Sequence, residues 1–445
     1  MKIHFIGIGG IGMSALALLA IQKGHQVSGS DISQSSICRG LEDKGATIFY
    51  SHSEANIQEK MMVVISTAID SNNIELLKAK NLHCSILHRS DFLKELMQGK
   101  TQIMISGAHG KTTTTALLVH VFKTAGLNPS YAIGGLVSDA DHAEYYDSEY
   151  FIFEGDESDG SFLNHEAKYA IFTNIDQEHL DYWGNFENLL SGFKKAIQSI
   201  QDPTHVMIYS EDEYLNPLAS KCAKYGTMPT DQLVAEDIHF TASGMRFTLE
   251  GEIFNLSLYG KHNVMNALGC YGIARKCGIS LEMIKKAFST FKGVKRRFEF
   301  LGTFENTRFV DDYAHHPVEI QAVLDVIKQI ADIKRVLIIF EPHRYSRFQA
   351  LKDDFAKVLS QASDLIVLPI YSANQMPITG LLESFCSQVS SERLYQLDQK
   401  KVLEFLTNHY KNYDWVFTLG AGNVTNIGRN FLKEQAFQHA EKILC

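Results

Sequence analysis

The chain has 445 residues, which is enough for roughly two or three domains. Hydrophobic residues make up 45% of it and charged residues 21%, a composition typical of a globular protein with packed cores. The net charge of −9 disfavours a protein that works on nucleic acid or on an anionic membrane surface, because both partners are themselves negatively charged.

The first region, residues 1–98, alternates short apolar strands with helices. Strands are predicted at residues 3–6, 26–28, 63–66 and 84–87, and helices at residues 14–23 and 90–97. Strands that alternate with helices predict a parallel, doubly wound sheet.

A glycine loop with the pattern Gly-x-Gly-x-x-Gly lies between the first strand and the first helix, at residues 7–12. It includes Gly9 and Gly12, and Asp31 follows the second strand. Such glycines let a diphosphate approach a helix N-terminus, and the acidic residue suits a ribose hydroxyl. The fingerprint alone favours NAD(P), and a glycine turn without a ligand is the plain alternative. A nucleotide-sugar diphosphate fits the same loop and agrees better with the second nucleotide site predicted below.

The second region, residues 99–294, opens with the order strand, glycine loop, helix. Its loop, Ser-Gly-Ala-His-Gly-Lys-Thr-Thr-Thr at residues 106–114, indicates a cradle for the phosphates of a nucleoside triphosphate. Lys111 is expected to reach the β- and γ-phosphates, and the Thr112 hydroxyl is expected to bind Mg²⁺. The loop departs from the usual pattern, because its two glycines enclose two residues instead of four.

Acidic and histidine side chains follow the next two strands, which are predicted at residues 150–153 and 169–173. Glu154 begins an acidic cluster, and His179 follows the second of these strands. Because parallel strands end at one sheet edge, Glu154, His179 and Thr112 are expected to converge on Mg²⁺. The alternatives are a solvated acidic turn and a structural histidine, and histidine is an atypical ligand of Mg²⁺. We favour the metal, because like charges after a buried strand repel without a cation.

The remaining elements complete a three-domain α/β chain. The second region ends with helices predicted at residues 263–277 and 281–291, and the third region, residues 295–445, has strands predicted at 307–311, 335–340, 365–368 and 415–419. The sequence therefore predicts an N-terminal Rossmann-like domain, a central P-loop ATPase-like domain with a mixed sheet, and a C-terminal Rossmann-like domain.

The seven cysteines are dispersed, at positions 38, 84, 222, 270, 277, 386 and 445, and none forms a Cys-x-x-Cys pair. This pattern indicates reduced thiols and neither a disulfide framework nor a zinc site. The chain begins directly with a predicted strand, and no apolar run approaches the roughly eighteen residues of a membrane-spanning helix. The sequence predicts a cytoplasmic protein with no membrane insertion and no nucleic-acid partner.

Eight motifs occur in order along the chain: the glycine loop at residues 7–13, the phosphate loop at 107–114, the acidic cluster at 154–162, Thr-Asn-Ile at 173–175 with His179 and Asp181, Gly-Lys-His-Asn-Val-Met-Asn at 260–266, Arg-Arg-Phe at 296–298, Asp-Asp-Tyr-Ala-His-His-Pro at 311–317, and Pro-His-Arg-Tyr-Ser-Arg at 342–347. Together they resemble the Mur ligases, the ATP-dependent amide-forming enzymes that build the peptide of bacterial cell-wall precursors. The motifs are most similar to those of the members that join L-alanine to the lactyl carboxylate of UDP-N-acetylmuramate. That reaction is the first peptide step of peptidoglycan precursor synthesis, on which cell shape and division depend.

The resemblance implies ATP and Mg²⁺ as cofactors. The implied ATP-binding residues are Gly107, Ala108, His109, Gly110, Lys111, Thr112 and Thr113, with His262, Asn263 and Asn266 at the adenine side and Arg297 and Asp312 at the phosphate and ribose. Thr112, Glu154 and His179 are the implied metal ligands, and Asn174 is implied to lie by the reacting phosphate. The implied UDP-sugar residues are Gly9, Gly12, Asp31, Ser66 and Arg89, while Tyr313, His315, His343, Arg344 and Arg347 are implied to line the place where the amino acid meets the muramyl carboxylate.

The implied reaction passes through an acyl phosphate formed from ATP and the lactyl carboxylate. Arg344 or Arg347 is expected to hold the alanine carboxylate in a bidentate fork. His315 or His343 is expected to orient or deprotonate the amine, and the sequence does not choose between them; a hydrogen-bonded structural role is the alternative for each. Because the ATP loop and the third region are predicted in different domains, catalysis is expected to require domain closure.

Three departures from the family pattern stand out. Ala108 occupies a position where the family usually has Thr, and Ala314 a position where it usually has Gly. The Gly-Glu that the family tends to carry near Asn374 and Gln375 is missing, which weakens the expectation of strict L-alanine preference.

Alternative functions remain at this point. The nearest is the related ligase that attaches a recycled tripeptide to the same nucleotide sugar. More remote are a nicotinamide-dependent oxidoreductase, which would use the first glycine loop and need no metal, and an ATP-binding sensor that releases no covalent product. The implied partners are the small molecules UDP-N-acetylmuramate and L-alanine, and the protein is expected to be a monomer or a homodimer.

Overall fold

The structure is a computed structural model. It describes residues 1–135, 141–241, 243–330, 335–373 and 375–444, without the side chains of Asp181 and of residues 437–444. Three positions noted in the sequence, the Asp181 side chain, Asn374 and Cys445, therefore lie outside the described residues. The chain divides into two compact units, Met1–Lys292 and Gly293–Cys445, and the domain boundaries at 98/99 and 294/295 stay predictions.

The N-terminal part of the first unit has a parallel sheet in which five strands are described, in the order β3-β2-β1-β4-β5. Its strands are β1 (Lys2–Ile6), β2 (Gln26–Ser30), β3 (Thr47–Phe49), β4 (Met62–Ile65) and β5 (Ser85–His88), and its helices are α1 (Ile11–Gln22), α2 (Ser36–Asp43), α3 (Ile74–Asn81) and α4 (Arg89–Leu96). This is the doubly wound arrangement, and its switch point lies at the carboxyl ends of β1 and β4, where ligands bind such sheets.

A buried polar cluster lies under the glycine loop of this sheet. Glu75 of α3 has no exposed surface and accepts hydrogen bonds from Ser30 at 2.5 Å, Asn56 at 2.6 Å and His52 at 2.8 Å. Burial raises the pKa of Glu75, but these bonds and His4, whose Nε2 lies 3.7 Å from the carboxylate, outweigh it and lower the pKa to about 2. The cluster fixes α3 against the strands that carry the loop.

The central part has a mixed sheet in which ten strands are described, in the order β15-β14-β13-β12-β11-β10-β6-β9-β7-β8. Its strands are β6 (Thr101–Ser106), β7 (Ser130–Ala132), β8 (Ala143–Glu144), β9 (Tyr150–Glu154), β10 (Tyr169–Phe172), β11 (Val206–Tyr209), β12 (Ala223–Gly226), β13 (Leu233–Thr241), β14 (Gly244–Leu249) and β15 (Glu252–Leu256). Its helices are α5 (Lys111–Thr124), α6 (Leu180–Trp183), α7 (Phe186–Ser199), α8 (Leu215–Leu218), α9 (Lys261–Lys276) and α10 (Leu281–Thr290). The strands β9, β6 and β10 are adjacent and parallel, so their carboxyl ends form one edge.

The second unit has a sheet in which six strands are described, in the order β16-β17-β21-β18-β19-β20, parallel except for the β16–β17 pair. Its strands are β16 (Glu299–Phe304), β17 (Thr307–Asp312), β18 (Val336–Phe340), β19 (Asp364–Val367), β20 (Arg393–Gln396) and β21 (Trp415–Leu419). Its helices are α11 (Pro317–Gln329), α12 (Tyr345–Ala350), α13 (Lys352–Leu359), α14 (Leu381–Cys386), α15 (Gln399–His409) and α16 (Thr425–Leu444). The apolar runs of β18 and β21 are buried from both faces, as central parallel strands require.

The predicted α/β class is confirmed, and every strand and helix predicted from the sequence overlaps an observed element of the same type. The antiparallel strands β13–β15 were not predicted. Their polar and apolar residues alternate because one face is exposed, and such short amphipathic runs give a weaker signal than a buried strand. The six cysteines among the described residues are free, and no described helix has the length and apolar character to cross a bilayer.

Candidate active site

The phosphate loop connects β6 to α5 and needs glycine at both of its glycine positions. Gly107 has a φ of +137° and Gly110 a φ of +84°. A Cβ atom at Gly107 would lie 2.1 Å from Thr173 Oγ1 and 2.9 Å from the backbone oxygen of Asn174. Only glycine satisfies both the backbone conformation and this close approach of β10's carboxyl end.

The Asn174 side chain is hydrogen-bonded to the backbone of the phosphate loop. Its Oδ1 accepts a hydrogen bond from the backbone N–H of His109 at 2.7 Å, and its Nδ2 donates to the carbonyl of the same residue at 3.0 Å. Thr173 Oγ1 donates to that carbonyl as well, at 2.6 Å. The sequence placed Asn174 by the reacting phosphate; the structure brings it to the loop backbone, where it fixes the loop's shape.

Lys111, the first residue of α5, is half-buried and paired with a carboxylate. Its Nζ donates to Glu157 Oε1 at 2.8 Å, to the carbonyl of Ala108 at 3.2 Å and to the carbonyl of Gly107. Burial lowers the pKa of Lys111, but Glu157, together with Asp156 and Glu154, outweighs burial and raises it, so the ammonium stays charged. A permanently charged lysine beside a glycine loop at a helix N-terminus is suited to phosphate oxygens.

The residues around this loop fit a divalent cation. Thr112 Oγ1 lies 3.3 Å from Glu154 Oε2, and His179 Nε2 lies 3.7 Å from Glu157 Oε1. Glu157 is 3% exposed, and its Oε2 has no hydrogen-bond partner among the described residues. Burial raises the pKa of both carboxyl groups, because Lys111 and the hydrogen bonds from Gly134 and Thr112 compensate their buried charges only in part. Carboxylate and hydroxyl oxygens are the ligands that Mg²⁺ prefers.

In the described part of the chain, no three His, Cys, Asp or Glu side chains are arranged to hold a metal by themselves. Mg²⁺ at nucleotide sites usually keeps several water and phosphate ligands and takes only one or two carboxylates from the protein. The predicted ligands Thr112 and Glu154 lie together at this edge, and His179 lies beside Glu157.

Arg89 forms ion pairs with two carboxylates of the acidic cluster. Its Nη2 donates to Asp156 Oδ2 and to Asp159 Oδ2, each at 2.7 Å. Burial raises the pKa of Asp156, but Arg89 and the hydrogen bonds from Ser158 together outweigh burial and lower it to about 2. Arg89 therefore pairs with two carboxylates of the cluster for which the sequence predicted a cation. The carboxylates that remain for a cation are Glu154 and Glu157.

A cavity of about 270 Å³ joins the two glycine loops of the first unit. Gly12 and Arg89 line it on the side of the N-terminal sheet, and Lys111 and Glu154 line it on the side of the phosphate loop. A Cβ at Gly12 would lie 3.1 Å from Arg89 Nη1, so glycine lets the arginine approach α1. Residues predicted for the nucleotide sugar and for ATP thus face one continuous space.

The remaining residues predicted for the nucleotide sugar lie at the same end of the N-terminal sheet. Asp31 Oδ2 accepts the N–H of Gly9 at 2.9 Å, so Asp31 fixes the glycine loop in this structure. Ser66 is half-buried and follows β4, whose carboxyl end adjoins that of β1.

The residues predicted for the adenine side lie at the start of α9. Asn266 Nδ2 donates to Asn263 Oδ1 at 3.2 Å, and a Cβ at Gly110 would lie 3.1 Å from Asn266 Oδ1. Asn263 and Asn266 are buried, whereas His262 is exposed. The structure therefore brings Asn266 directly against the phosphate loop, where Thr113 is buried in the first turn of α5.

In the second unit, Asp312 at the end of β17 anchors the predicted phosphate and ribose residues. It accepts backbone N–H groups of Phe298 at 2.6 Å and of Ala314 at 2.7 Å. Burial raises the pKa of Asp312 to about 6, against the opposing charge of Arg297. The Arg297 guanidinium lies 5.4 Å from the ring centre of Tyr313, so these predicted residues form one group.

The two histidines that the sequence did not distinguish have different surroundings. His315 Nδ1 lies 3.0 Å from the carbonyl of Tyr313 and 3.2 Å from a carboxylate oxygen of Glu319. His343 Nδ1 is buried with no hydrogen-bond partner among the described residues, and its ring stacks on Tyr371 at 5.3 Å. The two imidazole rings are 6.0 Å apart.

Of the arginines predicted to bind an amino-acid carboxylate, Arg344 directly precedes α12 and Arg347 lies within it. Arg344 is exposed and has a φ of +68°, a strained conformation for a residue with a side chain, and Arg347 is half-buried one turn later. Gln375 Oε1 accepts the Ser346 N–H at 3.0 Å, and its Nε2 lies 2.9 Å from Ser346 Oγ. The Gln375 amide therefore holds the start of α12.

Glu157 and Glu319 are the two residues that the sequence reasoning missed. Glu157 is one of several carboxylates in the motif at residues 154–162, and Glu319 lies two residues after the motif at 311–317, so spacing alone selects neither. Both become conspicuous only when the fold shows what they contact: Lys111 and His179 for Glu157, and Arg297 and His315 for Glu319.

Comparison with known proteins agrees with this arrangement. Three family models match in order: Mur ligase family, catalytic domain, at residues 2–101; Mur ligase middle domain, at 105–274; and Mur ligase, glutamate ligase domain, at 296–422. A UDP-N-acetylmuramate–L-alanine ligase of Carboxydothermus hydrogenoformans is 37% identical over 97% of this chain and 96% of its own.

Two solved structures have the same fold. A UDP-N-acetylmuramate–alanine ligase of Thermotoga maritima is 29% identical, with a TM-score of 0.85 over 98% of this chain and 100% of its own. A murein peptide ligase of Psychrobacter arcticus is 26% identical, with a TM-score of 0.68 over 97% and 98%. With three matching family models across its length and relatives of this identity, the chain belongs to the Mur ligase family.

Proposed function

We propose that this protein is an ATP-dependent ligase that joins L-alanine to the lactyl carboxylate of UDP-N-acetylmuramate, with release of ADP and phosphate. The reaction is the first peptide step of peptidoglycan precursor synthesis. Full-length relatives at 37% identity are ligases for this pair of substrates. The same family and the residues around the phosphate loop support ATP and Mg²⁺ as the cofactors.

The observation that supports the proposal most strongly is the cavity that joins the two glycine loops. A carboxylate can receive a phosphoryl group only if it reaches the γ-phosphate, and the cavity of the first unit runs from Gly12 and Arg89 to Lys111. A nicotinamide oxidoreductase needs no lysine-bearing phosphate loop beside its dinucleotide fingerprint.

In the first step the lactyl carboxylate attacks the γ-phosphorus of ATP, which gives an acyl phosphate and ADP. Lys111 and the loop N–H groups stabilise the charge of the transferring group, work that is mainly positioning and electrostatics. Asn174 and Gly107 keep the loop in the shape that presents those N–H groups.

Thr112, Glu154 and Glu157, with His179 beside them, would hold Mg²⁺. The ion supplies charge neutralisation for the phosphate oxygens. Lys111 gives up its contact with Glu157 when the phosphates arrive, because both need the same ammonium.

In the second step the alanine amine attacks the acyl carbon and phosphate leaves. Arg344 and Arg347 bind the alanine carboxylate, and Tyr313, His315 and His343 surround the amine. Arg297 and Asp312 serve the phosphate and ribose of ATP, and His262, Asn263 and Asn266 its adenine side. Gly9, Gly12, Asp31, Ser66 and Arg89 serve the nucleotide sugar. We also propose a cytoplasmic location, which the free cysteines support.

The test is phosphate release from ATP by the purified chain with Mg²⁺ and UDP-N-acetylmuramate, to which L-alanine, glycine, L-serine or the recycled tripeptide is added in turn. The proposal expects release that needs both UDP-N-acetylmuramate and L-alanine. Omission of either substrate provides the background rate.

Release with the tripeptide but not with L-alanine would reassign the chain to the recycling reaction. Phosphate release without UDP-N-acetylmuramate would contradict the proposal that this nucleotide sugar is the phosphoryl acceptor. Comparable rates with glycine and L-alanine would mean that the site around Gln375 does not select for the methyl group of alanine.

A further inference from the structure

We propose that Nε2 of His315 accepts the proton that the amine of the incoming amino acid must lose, and that Glu319 and the carbonyl of Tyr313 hold the imidazole for this step. The proposal rests on the proposed function and deepens it, because it names the group that handles the amine proton. It assigns His343 to a different task.

The surroundings of Nδ1 fix the tautomer of His315. Both atoms near Nδ1, the carbonyl oxygen of Tyr313 at 3.0 Å and the Glu319 carboxylate at 3.2 Å, are acceptors only. Nδ1 must therefore carry the hydrogen, and in the neutral ring Nε2 carries the lone pair. A base whose other nitrogen is held by a carboxylate is the arrangement that positions histidine bases in acyl-transfer enzymes.

Glu319 is itself held in place. Its Oε2 accepts the backbone N–H of His315 at 3.0 Å and that of His316 at 3.2 Å, and its Oε1 lies 3.4 Å from Arg297 Nη1. The carboxylate is thus fixed at the start of α11 by the same segment that carries His315. It is a positioning residue, because it acts on the amine only through the imidazole.

The charged and titratable groups that face His315 come from every element around it: Glu319 on α11, Tyr313 before it in the chain, Arg297 from the 296–298 motif, Arg347 on α12, and His343 after β18. Burial lowers the pKa of His315 most, and the arginines act in the same direction, while Glu319 opposes them. The imidazole is therefore neutral at neutral pH and free to accept a proton.

His343 lacks these features. No acceptor among the described residues meets its Nδ1, so nothing there selects a tautomer. Burial, followed by His315 and Arg347, lowers the pKa of His343 to about 4, which makes it a weak base. Its ring stacks on Tyr371 with an interplanar angle of 9°, so His343 is suited to lining the site.

This step moves one proton to His315 and replaces the bond from the acyl carbon to the phosphate oxygen by a C–N bond. Alanine arrives as the ammonium, and one N–H proton moves to His315 Nε2, which leaves the amine and an imidazolium. The amine lone pair then forms the C–N bond with the acyl carbon, and the bond from that carbon to the phosphate oxygen breaks. The second N–H proton leaves with the phosphate, so that amide and hydrogen phosphate are the products, and the imidazolium returns its proton to solvent.

The test compares two nucleophiles in His315→Gln, His343→Gln and the matched control His409→Gln, which changes an exposed histidine of α15. L-Alanine must be deprotonated, whereas hydroxylamine is largely unprotonated at neutral pH. For His315→Gln we expect kcat with L-alanine to fall on the order of 10²-fold, with a much smaller change for hydroxylamine. His409→Gln is expected to keep both rates.

A second readout concerns Glu319. The Glu319→Gln variant should move the acid limb of the kcat profile with L-alanine to lower pH, because removal of the carboxylate lowers the pKa of the base. A merely structural role would lower the rate without moving the limb.

An equal loss of both nucleophiles in His315→Gln, or a loss selective for alanine in His343→Gln alone, would overturn the assignment. Nitrogen NMR of labelled histidine tests the tautomer independently of turnover, and a hydrogen on Nε2 of neutral His315 would also overturn it. If the unaltered enzyme releases no phosphate with either nucleophile, the proposed function itself fails, and this inference fails with it.

Discussion

Replacement of Gly107 by alanine tests whether the phosphate loop depends on close packing against β10. The added methyl group would lie 2.1 Å from Thr173 Oγ1 and within 3.0 Å of the backbone of Asn174, and backbone atoms cannot move aside. Gly126 provides the control, because it also has a positive φ, +77°, but no described atom lies within 4 Å of the place that an added methyl group would take there.

The two substitutions share one energetic term and differ in another. A left-handed backbone costs an alanine about 1–2 kcal/mol. The stiffer unfolded chain returns about 0.4–1 kcal/mol, so Gly126→Ala should lose at most about 1.6 kcal/mol. Gly107→Ala adds an overpacking cost of about 1–3 kcal/mol, which gives a total loss of roughly 1–5 kcal/mol.

The measurement is urea unfolding of both variants, together with calorimetric titration of a non-hydrolysable ATP analogue with Mg²⁺. Gly107→Ala should be the less stable variant and should lose nucleotide binding, because Thr173 and Asn174 also hold the loop at His109. Gly126→Ala should bind as the unaltered protein does. Equal stability of the two variants, with binding retained in both, would refute the reasoning.

Three further predictions concern buried polar groups. Glu157→Gln should raise the Mg²⁺ concentration for half-maximal activity roughly 10–100-fold, and an unchanged Mg²⁺ titration would contradict its place in the cation site. Asn174→Ala should cost roughly 1–3 kcal/mol, because the His109 N–H loses its hydrogen bond to Asn174 while the His109 carbonyl keeps the one from Thr173, and should raise the KM for ATP in steady-state assays. The pKa of Glu75 is about 2 in the folded protein against a usual 4.5, a difference that corresponds to roughly 3 kcal/mol of folding stability. This contribution is present above pH 4.5 and is lost as the pH falls toward 2. Glu75→Gln should flatten the acid limb of a stability–pH curve between these values, and an unchanged slope would count against the pKa.

The fold was largely predictable because its central strands are buried on both faces. Runs such as residues 336–340 are apolar throughout, and each is followed by a helix, so the α/β class follows from the sequence. The strands β13–β15 at one end of the central sheet were not predictable in the same way, since their exposed faces dilute the apolar pattern.

The candidate site was predictable in its location and less so in its contacts. The glycine loop and Lys111 predict a phosphate site by their spacing, but the acidic cluster offers several carboxylates within one turn. Which of them meets Lys111 and which meets Arg89 depends on how the chain turns after β9, and that turn follows from packing that the sequence does not display. Likewise, the choice between His315 and His343 depends on neighbours that only the fold brings together.

The most direct measurement follows an oxygen atom. UDP-N-acetylmuramate with a heavy-oxygen label in its lactyl carboxylate is incubated with the enzyme, ATP, Mg²⁺ and L-alanine, and the released phosphate is analysed by mass spectrometry. Phosphoryl transfer to the carboxylate predicts that one labelled oxygen moves into the phosphate for each amide formed. Amide formation with unlabelled phosphate would contradict activation of the carboxylate by ATP.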